Sequence, residues 1–235
     1  MSAPQPAETQ EAQPLAEILA RMKPPRRGFE PFHKYFSPES NDYPFKPNMR
    51  LLFSLMPYLC ASKKLAPKQV LCPMAGVGAA PIMVLAYYTN AYTKVAAWED
   101  EAKWREILQK NFQRNHFCEG RWRITPIEEL EDKSGDAAVF CPPPSPDFEK
   151  FNEAVSKTLE LLHAKLKKGS SVIMVSRRLE LALDEVFYTE LALEHLVDTS
   201  LYNLIQVATV RARTPQRRLY NEEAQKDVFI ILRRR

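Results

Sequence analysis

At 235 residues, with 45% hydrophobic and 26% charged residues, the chain is long enough to bury a sizeable core and too apolar to be disordered throughout. Its longest apolar stretches, 51–60 and 77–88, fall short of the roughly 20 residues that a membrane-spanning helix needs, so no transmembrane segment is expected. The formal net charge of +4 is too small to predict nucleic-acid binding by its size, but it is unevenly placed: from Leu201 onward, eight basic residues stand against three acidic ones.

Taken in chain order, residues 1–22 read as a flexible tail. Its first fourteen residues are mostly Pro, Ala, Glu and Gln, too polar to sustain burial, and a short helix is predicted over 16–22. Residues 23–47 change character: many prolines alternate with Phe29, Phe32, Tyr35, Phe36, Tyr43 and Phe45, which suits an extended, wrap-around arm that anchors by its rings. From 48 to 235 strand and helix patterns alternate, the signature of a parallel sheet covered by helices on both faces.

Within that domain, helical spacing of Leu51, Leu52, Leu55, Met56 and Leu59 predicts a helix over 48–62 despite Pro57. A short apolar strand over 69–72 leads through a loop holding Gly76 and Gly78 into a helix over 81–88. A second strand is predicted over 94–98 and an amphipathic helix over 101–115, with Trp104, Ile107, Leu108 and Phe112 on one side. A buried strand over 136–140 runs into Cys141-Pro142-Pro143-Pro144. A helix over 148–166, a strand over 171–176 and a mostly helical stretch over 179–195 follow. The end reads as two strands, 200–211 and 227–232, plausible as an antiparallel pair at one side of the sheet. Six strands are placed by pattern, and seven in one domain is the simplest count.

Cys60, Cys72, Cys118 and Cys141 include no C-x-x-C pair and no close histidine, so neither a metal site nor a disulfide framework is expected. The N-terminus has neither an apolar signal core nor the Arg-rich, acid-poor composition of a transit peptide. An intracellular protein, cytoplasmic or mitochondrial and not secreted, is the expectation.

The segment from Val70 to Pro81, Val-Leu-Cys-Pro-Met-Ala-Gly-Val-Gly-Ala-Ala-Pro, carries the most chemistry. Gly76 and Gly78 follow a predicted strand and precede a helix, where a ligand approaches the backbone closely; a tight turn with no ligand would use the same residues. About twenty residues on, at the end of the second strand, Glu99 is placed to accept hydrogen bonds from ribose hydroxyls, while Asp100 and Glu101 suit the first turn of a helix.

These motifs resemble the class I S-adenosylmethionine-dependent methyltransferases, in particular the branch that methylates amino groups of nucleic acids, whose first motif reads like D-P-M-x-G-x-G. Cys72-Pro73-Met74-Ala75-Gly76-Val77-Gly78 matches it except at Cys72, and Asn111 and Asn115 fall where the family's second helix often reads E-N-x-x-x-N. The resemblance implies an α/β, Rossmann-like fold: a seven-stranded, mostly parallel sheet with an antiparallel terminal strand pair. It implies S-adenosylmethionine as cofactor, with Cys72, Pro73, Gly76 and Gly78 around its methionine part and Glu99 on its ribose. The family's acid near the adenine is replaced by Pro126, with Glu128 the neighbouring carboxylate. The family's catalytic [D/N]-P-P-[Y/F/W] aligns with Cys141-Pro142-Pro143-Pro144. Both prolines are kept, and both chemically active positions are changed to a poor acceptor and a residue with no comparable stacking face.

Two functions are therefore expected side by side. One is a methyltransferase acting on RNA, with Cys141, Pro142 and Pro143 bordering the substrate. The other is a catalytically inactive methyltransferase-like structural or assembly subunit of a larger ribonucleoprotein or mitochondrial complex. In the second, residues 23–47 would bind a protein partner. Arg211, Arg213, Arg217 and Arg218 would meet RNA phosphates or an acidic protein face in either case, or be an ordinary solvated connection. Cys72 and Cys141, ending adjacent strands, are read as small buried space-fillers or as a pair close enough to link.

Overall fold

A computed structural model describes residues 32–45, 47, 49–60, 66–89, 91–143, 147–177, 198–211 and 226–235. The predicted helices over 16–22 and 179–195 and the basic residues Arg213, Arg217 and Arg218 lie outside the described residues, as does Pro144.

The centre of the fold is a seven-stranded sheet built from β1 (Gln69–Cys72), β2 (Lys94–Ala97), β3 (Trp122–Ile124), β4 (Gly135–Phe140), β5 (Leu166–Arg177), β6 (Tyr202–Arg211) and β7 (Lys226–Arg234). Their spatial order is β3-β2-β1-β4-β5-β7-β6. The first five run parallel, and β7 pairs antiparallel with both β5 and β6. Val70, Leu71 and Cys72 of β1, Val95, Ala96 and Ala97 of β2, and Ala137–Phe140 of β4 are buried without alternation. Strands covered by helices on both faces need such continuous apolar runs. The expected architecture, including the terminal antiparallel pair, is the one observed.

Among the described residues, five α-helices accompany the sheet: α1 (Phe32–Tyr35), α2 (Met49–Leu55), α3 (Ala79–Tyr87), α4 (Ala102–Arg114) and α5 (Phe148–Lys165). The core divides by sheet face. One cluster joins α2, α3 and α4 to Val70, Cys72, Val95 and Val139; the other joins Phe151, Val155, Leu159 and Leu162 of α5 to Leu71, Ala138, Phe140 and Tyr202. α3 lies deepest, buried continuously from Ala79 to Leu85, and so carries no polar face. Pro57 does not continue the helix predicted over 48–62: α2 ends at Leu55 and a tighter turn, Met56–Leu59, takes its place with Pro57 near its start. α5 begins where the Asp147 carboxylate accepts the Lys150 N–H at 3.1 Å, an N-cap in the usual sense.

The 23–47 arm is less extended than its composition suggests. Its described part holds α1 and a short turn, Pro38–Asp42. Phe36, Tyr43 and Phe45 belong to the same core cluster as α2, α3 and α4. These three expected ring anchors are therefore set into the chain's own domain.

Arg121 closes the lower end of α3. Its guanidinium donates to the carbonyls of Tyr88 at 2.7 Å, Thr93 at 3.0 Å and Phe117 at 3.2 Å, and more distantly to Leu85 and Thr89. These include the last carbonyls of the helix, which have no partner within it, and a cation there suits the helix dipole.

Candidate functional site

The candidate site lies at the C-terminal ends of β1, β2 and β4, the end of an open parallel sheet where ligands generally bind. After Cys72 the chain turns through Pro73-Met74-Ala75-Gly76-Val77-Gly78 into α3. The turn is stitched to β2: the Ala75 N–H donates to the Trp98 carbonyl at 2.8 Å, and the Trp98 N–H to the Cys72 carbonyl at 3.1 Å. Met74, Gly76 and Gly78 all have positive φ, +48°, +54° and +103°.

The two glycines do different things. Gly78 precedes α3 as its cap in the left-handed region, and a Cβ there would fall 2.9 Å from Leu108 Cδ1; it lets α3 and α4 pack closely. Gly76 opens toward the candidate site. Its N–H donates to Glu99 Oε2 at 2.8 Å, and the second oxygen of that carboxylate accepts the Glu101 N–H at 3.3 Å. Glu99 is only 9% exposed. Burial pushes its carboxyl above the usual range, against the two N–H bonds that favour the anion. Arg105 holds the same corner, donating to the Glu99 carbonyl at 2.6 Å and that of Asp100 at 2.9 Å, with its guanidinium over the Trp98 ring. The loop and the acid chosen from the sequence thus meet directly.

Tyr43 stands in front of Gly76. A Cβ at position 76 would lie 2.5 Å from Tyr43 Cζ and 2.6 Å from its Cε1 and hydroxyl oxygen, so the ring occupies the volume that the glycine leaves open. It is 7% exposed and packs edge-to-face on Trp104 with centroids 5.1 Å apart. Burial pushes its phenol well up, and Glu99, Cys141 and Glu101 push in the same direction, which sets the ring among the groups of the site. The sequence marks Tyr43 only as one ring of the aromatic arm, because what it packs on, Gly76 and Trp104, comes from distant elements.

Asn111 and Asn115 hold the segment that carries this ring. The buried Asn111 accepts the Ser37 N–H at 2.7 Å and donates to Ser40 Oγ at 2.9 Å and to the Val77 carbonyl at 2.8 Å. Asn115 donates to the Tyr35 carbonyl at 2.8 Å and to that of Asn111 at 2.6 Å. One asparagine therefore ties the arm to both α4 and the glycine loop.

The remaining candidates are placed as follows. Cys72 and Cys141 are buried at the ends of neighbouring strands, and no disulfide joins any of the four cysteines. Burial first, and Cys141 second, drive the Cys72 thiol well up. Pro73 and Pro142 are buried and Pro143 is exposed. Glu128 is exposed in the short turn Ile127–Glu129, and Arg211 ends β6. Among the described residues no cluster of His, Cys, Asp and Glu could hold a metal ion, and no helix is long and apolar enough to cross a membrane.

No model of a protein family matches the chain, and neither does any curated protein. Solved structures do match. TrmN from Thermus thermophilus superposes with a TM-score of 0.56 at 13% identity, over 80% of this chain and 49% of TrmN, so the chain spans about half of that protein. A SAM-dependent methyltransferase from Aquifex aeolicus superposes at 0.54 and 13% identity over 93% of this chain and 97% of its own. The chain has the fold of S-adenosylmethionine-dependent methyltransferases. The [4+2]-cyclase SpnF shares this methyltransferase fold with it, at 0.53 and 12% identity over 78% of this chain and 79% of SpnF. Likeness at this level identifies an architecture; the reaction must be argued from the site.

For the cofactor that the methyltransferase fold implies, the fit divides at Gly76. The Glu99 carboxylate at the end of β2 suits ribose hydroxyls, and Gly76 and its neighbours offer close backbone approach. The volume facing Gly76, which the methionine part would need, is filled by the Tyr43 ring.

Proposed function

We propose that this chain binds S-adenosylmethionine at the ends of β1 and β2 and is a methyltransferase with RNA as its substrate class. The observation that carries the cofactor part is the Glu99–Gly76 pair: a buried carboxylate 2.8 Å from the loop N–H, kept although its burial costs stability. RNA is favoured by the likeness of Cys72–Gly78 to the amino-methylating branch and by the basic residues Arg211, Arg213, Arg217 and Arg218, suited to phosphate contact. In such an enzyme the protein's contribution is to position a target against an electrophilic methyl group, with Cys141, Pro142 and Pro143 at the substrate's edge.

A second reading has its own observation. Cys141 is 6% exposed and stands where the family has Asp or Asn, and a thiol accepts poorly from an exocyclic amine. That favours a non-catalytic subunit of a ribonucleoprotein or mitochondrial complex, bound to a protein partner through residues 23–47 or the basic connection.

Calorimetric titration with S-adenosylmethionine and S-adenosylhomocysteine, with Glu99→Ala as control, tests the cofactor reading. Binding that Glu99→Ala abolishes supports it. Absence of binding by folded protein, in the wild type and in a form lacking the ring over Gly76, overturns it. Methyl transfer to RNA from cells, present in the wild type and absent in Glu99→Ala, separates the enzyme from the inert subunit.

A further inference from the structure

The geometry points to Tyr43 as a gate over the cofactor cleft: with residues 35–45 strapped to α4, its ring fills the place facing Gly76, and S-adenosylmethionine enters only when the ring swings out. The inference rests on the cofactor reading above and adds to it a residue outside the glycine loop and the acidic corner.

Three observations converge. The first is exclusion. Any ligand that approaches the Gly76 main chain must use the volume of the missing Cβ, and ring atoms of Tyr43 stand 2.5–2.6 Å from that point, so ring and ligand cannot share it. The second is attachment. The segment is held by a small set of polar contacts, Ser37 and Ser40 on Asn111 and Tyr35 on Asn115, together with the rings Phe36, Tyr43 and Phe45. No described strand pairs with this segment, so it can leave without breaking the sheet's hydrogen bonds, but leaving exposes Phe36, Tyr43 and Phe45, which the core buries, and that keeps the closed form dominant. The third is coupling. The Asn111 amide that donates to Ser40 also donates to Val77 in the glycine loop, so the strap's position and the loop's shape are read by one side chain.

A ligand that binds only the open form loses affinity by the fraction of molecules that are open. Removing the ring should restore it. S-adenosylhomocysteine is therefore titrated into the wild type, Tyr43→Ala and Ser40→Ala; the last keeps the ring and removes one contact of the strap, which covers the case in which Tyr43→Ala folds poorly. The expected result is about ten- to a hundredfold tighter binding by Tyr43→Ala and a few-fold tighter binding by Ser40→Ala. A second readout is independent of affinity: saturating ligand should speed trypsin cleavage after Lys34 in the wild type, because binding releases the strap, whereas ligands ordinarily protect.

Equal affinity in wild type and Tyr43→Ala, with cleavage unchanged by ligand, overturns the gate and leaves the cofactor reading standing. Binding by Tyr43→Ala where the wild type shows none supports both. No binding by any of the three folded proteins overturns the cofactor reading and the gate with it.

Discussion

Replacing Gly76 by alanine tests the ring's position through stability alone, with no ligand. The new Cβ would fall 2.5 Å from Tyr43 Cζ, where carbon atoms prefer about 3.5–4.0 Å, so ring or loop must give by about 1 Å. The ring has little room, boxed in by Trp104 at 5.1 Å between centroids. Overpacking of this kind costs about 1–3 kcal/mol, and a φ of +54° adds about 1–2 kcal/mol for any residue with a Cβ, about 2–5 kcal/mol together. Tyr43→Ala alone should cost about 3–5 kcal/mol for loss of a buried ring. In the double variant the clash is gone and Gly76→Ala retains only its backbone strain, so the two changes should fall short of additivity by about 1–3 kcal/mol. Equilibrium urea unfolding followed by circular dichroism measures all four corners of the cycle. Additivity within about 0.5 kcal/mol would mean that the ring does not face Gly76, and the reasoning on the cleft would fail.

Two further outcomes follow from the same geometry. Asn111→Ala strands the Ser37 N–H and the Val77 carbonyl and leaves Ser40 Oγ only its contact with Ser37 Oγ at 3.3 Å; at about 1–3 kcal/mol for each buried group left without a partner, less for those that reach water, the net loss in urea unfolding should be about 3 kcal/mol, with the strap becoming protease-sensitive. Glu99→Gln removes a buried charge but sets an NH2 against one of the two N–H groups that the carboxylate accepts, so it should weaken cofactor binding, and its effect on stability should depend on pH. Burial raises the folded-state pKa of Glu99 above its unfolded value, so its contribution is intact below the unfolded pKa and is lost as pH rises through the folded one. The stability difference should therefore move in favour of glutamine as pH rises, as read from urea midpoints across pH 3–8; a difference that does not change with pH would refute the assignment.

Much of the fold was legible because the chemistry is local. β1, β2 and β4 declare themselves as unbroken apolar runs, since strands covered on both faces have no polar side to alternate. The positive-φ turn declares itself through its glycines, and Glu99 through its place after a strand. β3 was not legible as an element: Trp122–Ile124 is three residues at a sheet edge with half-exposed and exposed side chains, too short and too polar to carry a period. The lower part of β5, which begins at Leu166 with Lys167, Lys168 and Gly169, looks like a solvated turn until its pairing with β4 is seen. Asn111 and Asn115 were noticed by position, but a sequence does not distinguish a polar helix surface from a buried clamp. Tyr43 was least legible, because the reasons for its position lie in Gly76 and Trp104, far along the chain.

The strap also has a consequence for the order of folding. Its hydrogen bonds to Asn111 and Asn115 span 74, 71 and 80 residues of chain, and non-local contacts of this kind repay the cost of loop closure only after their distant partner has formed. Although residues 35–45 precede every described strand, they have nothing to dock on until β1, the glycine loop and α4 exist. On a ribosome this N-terminal segment waits for the domain behind it. The same ordering lets it leave while the sheet stays paired: its amide protons should exchange before those of β1 and β4, which open only when the whole sheet does.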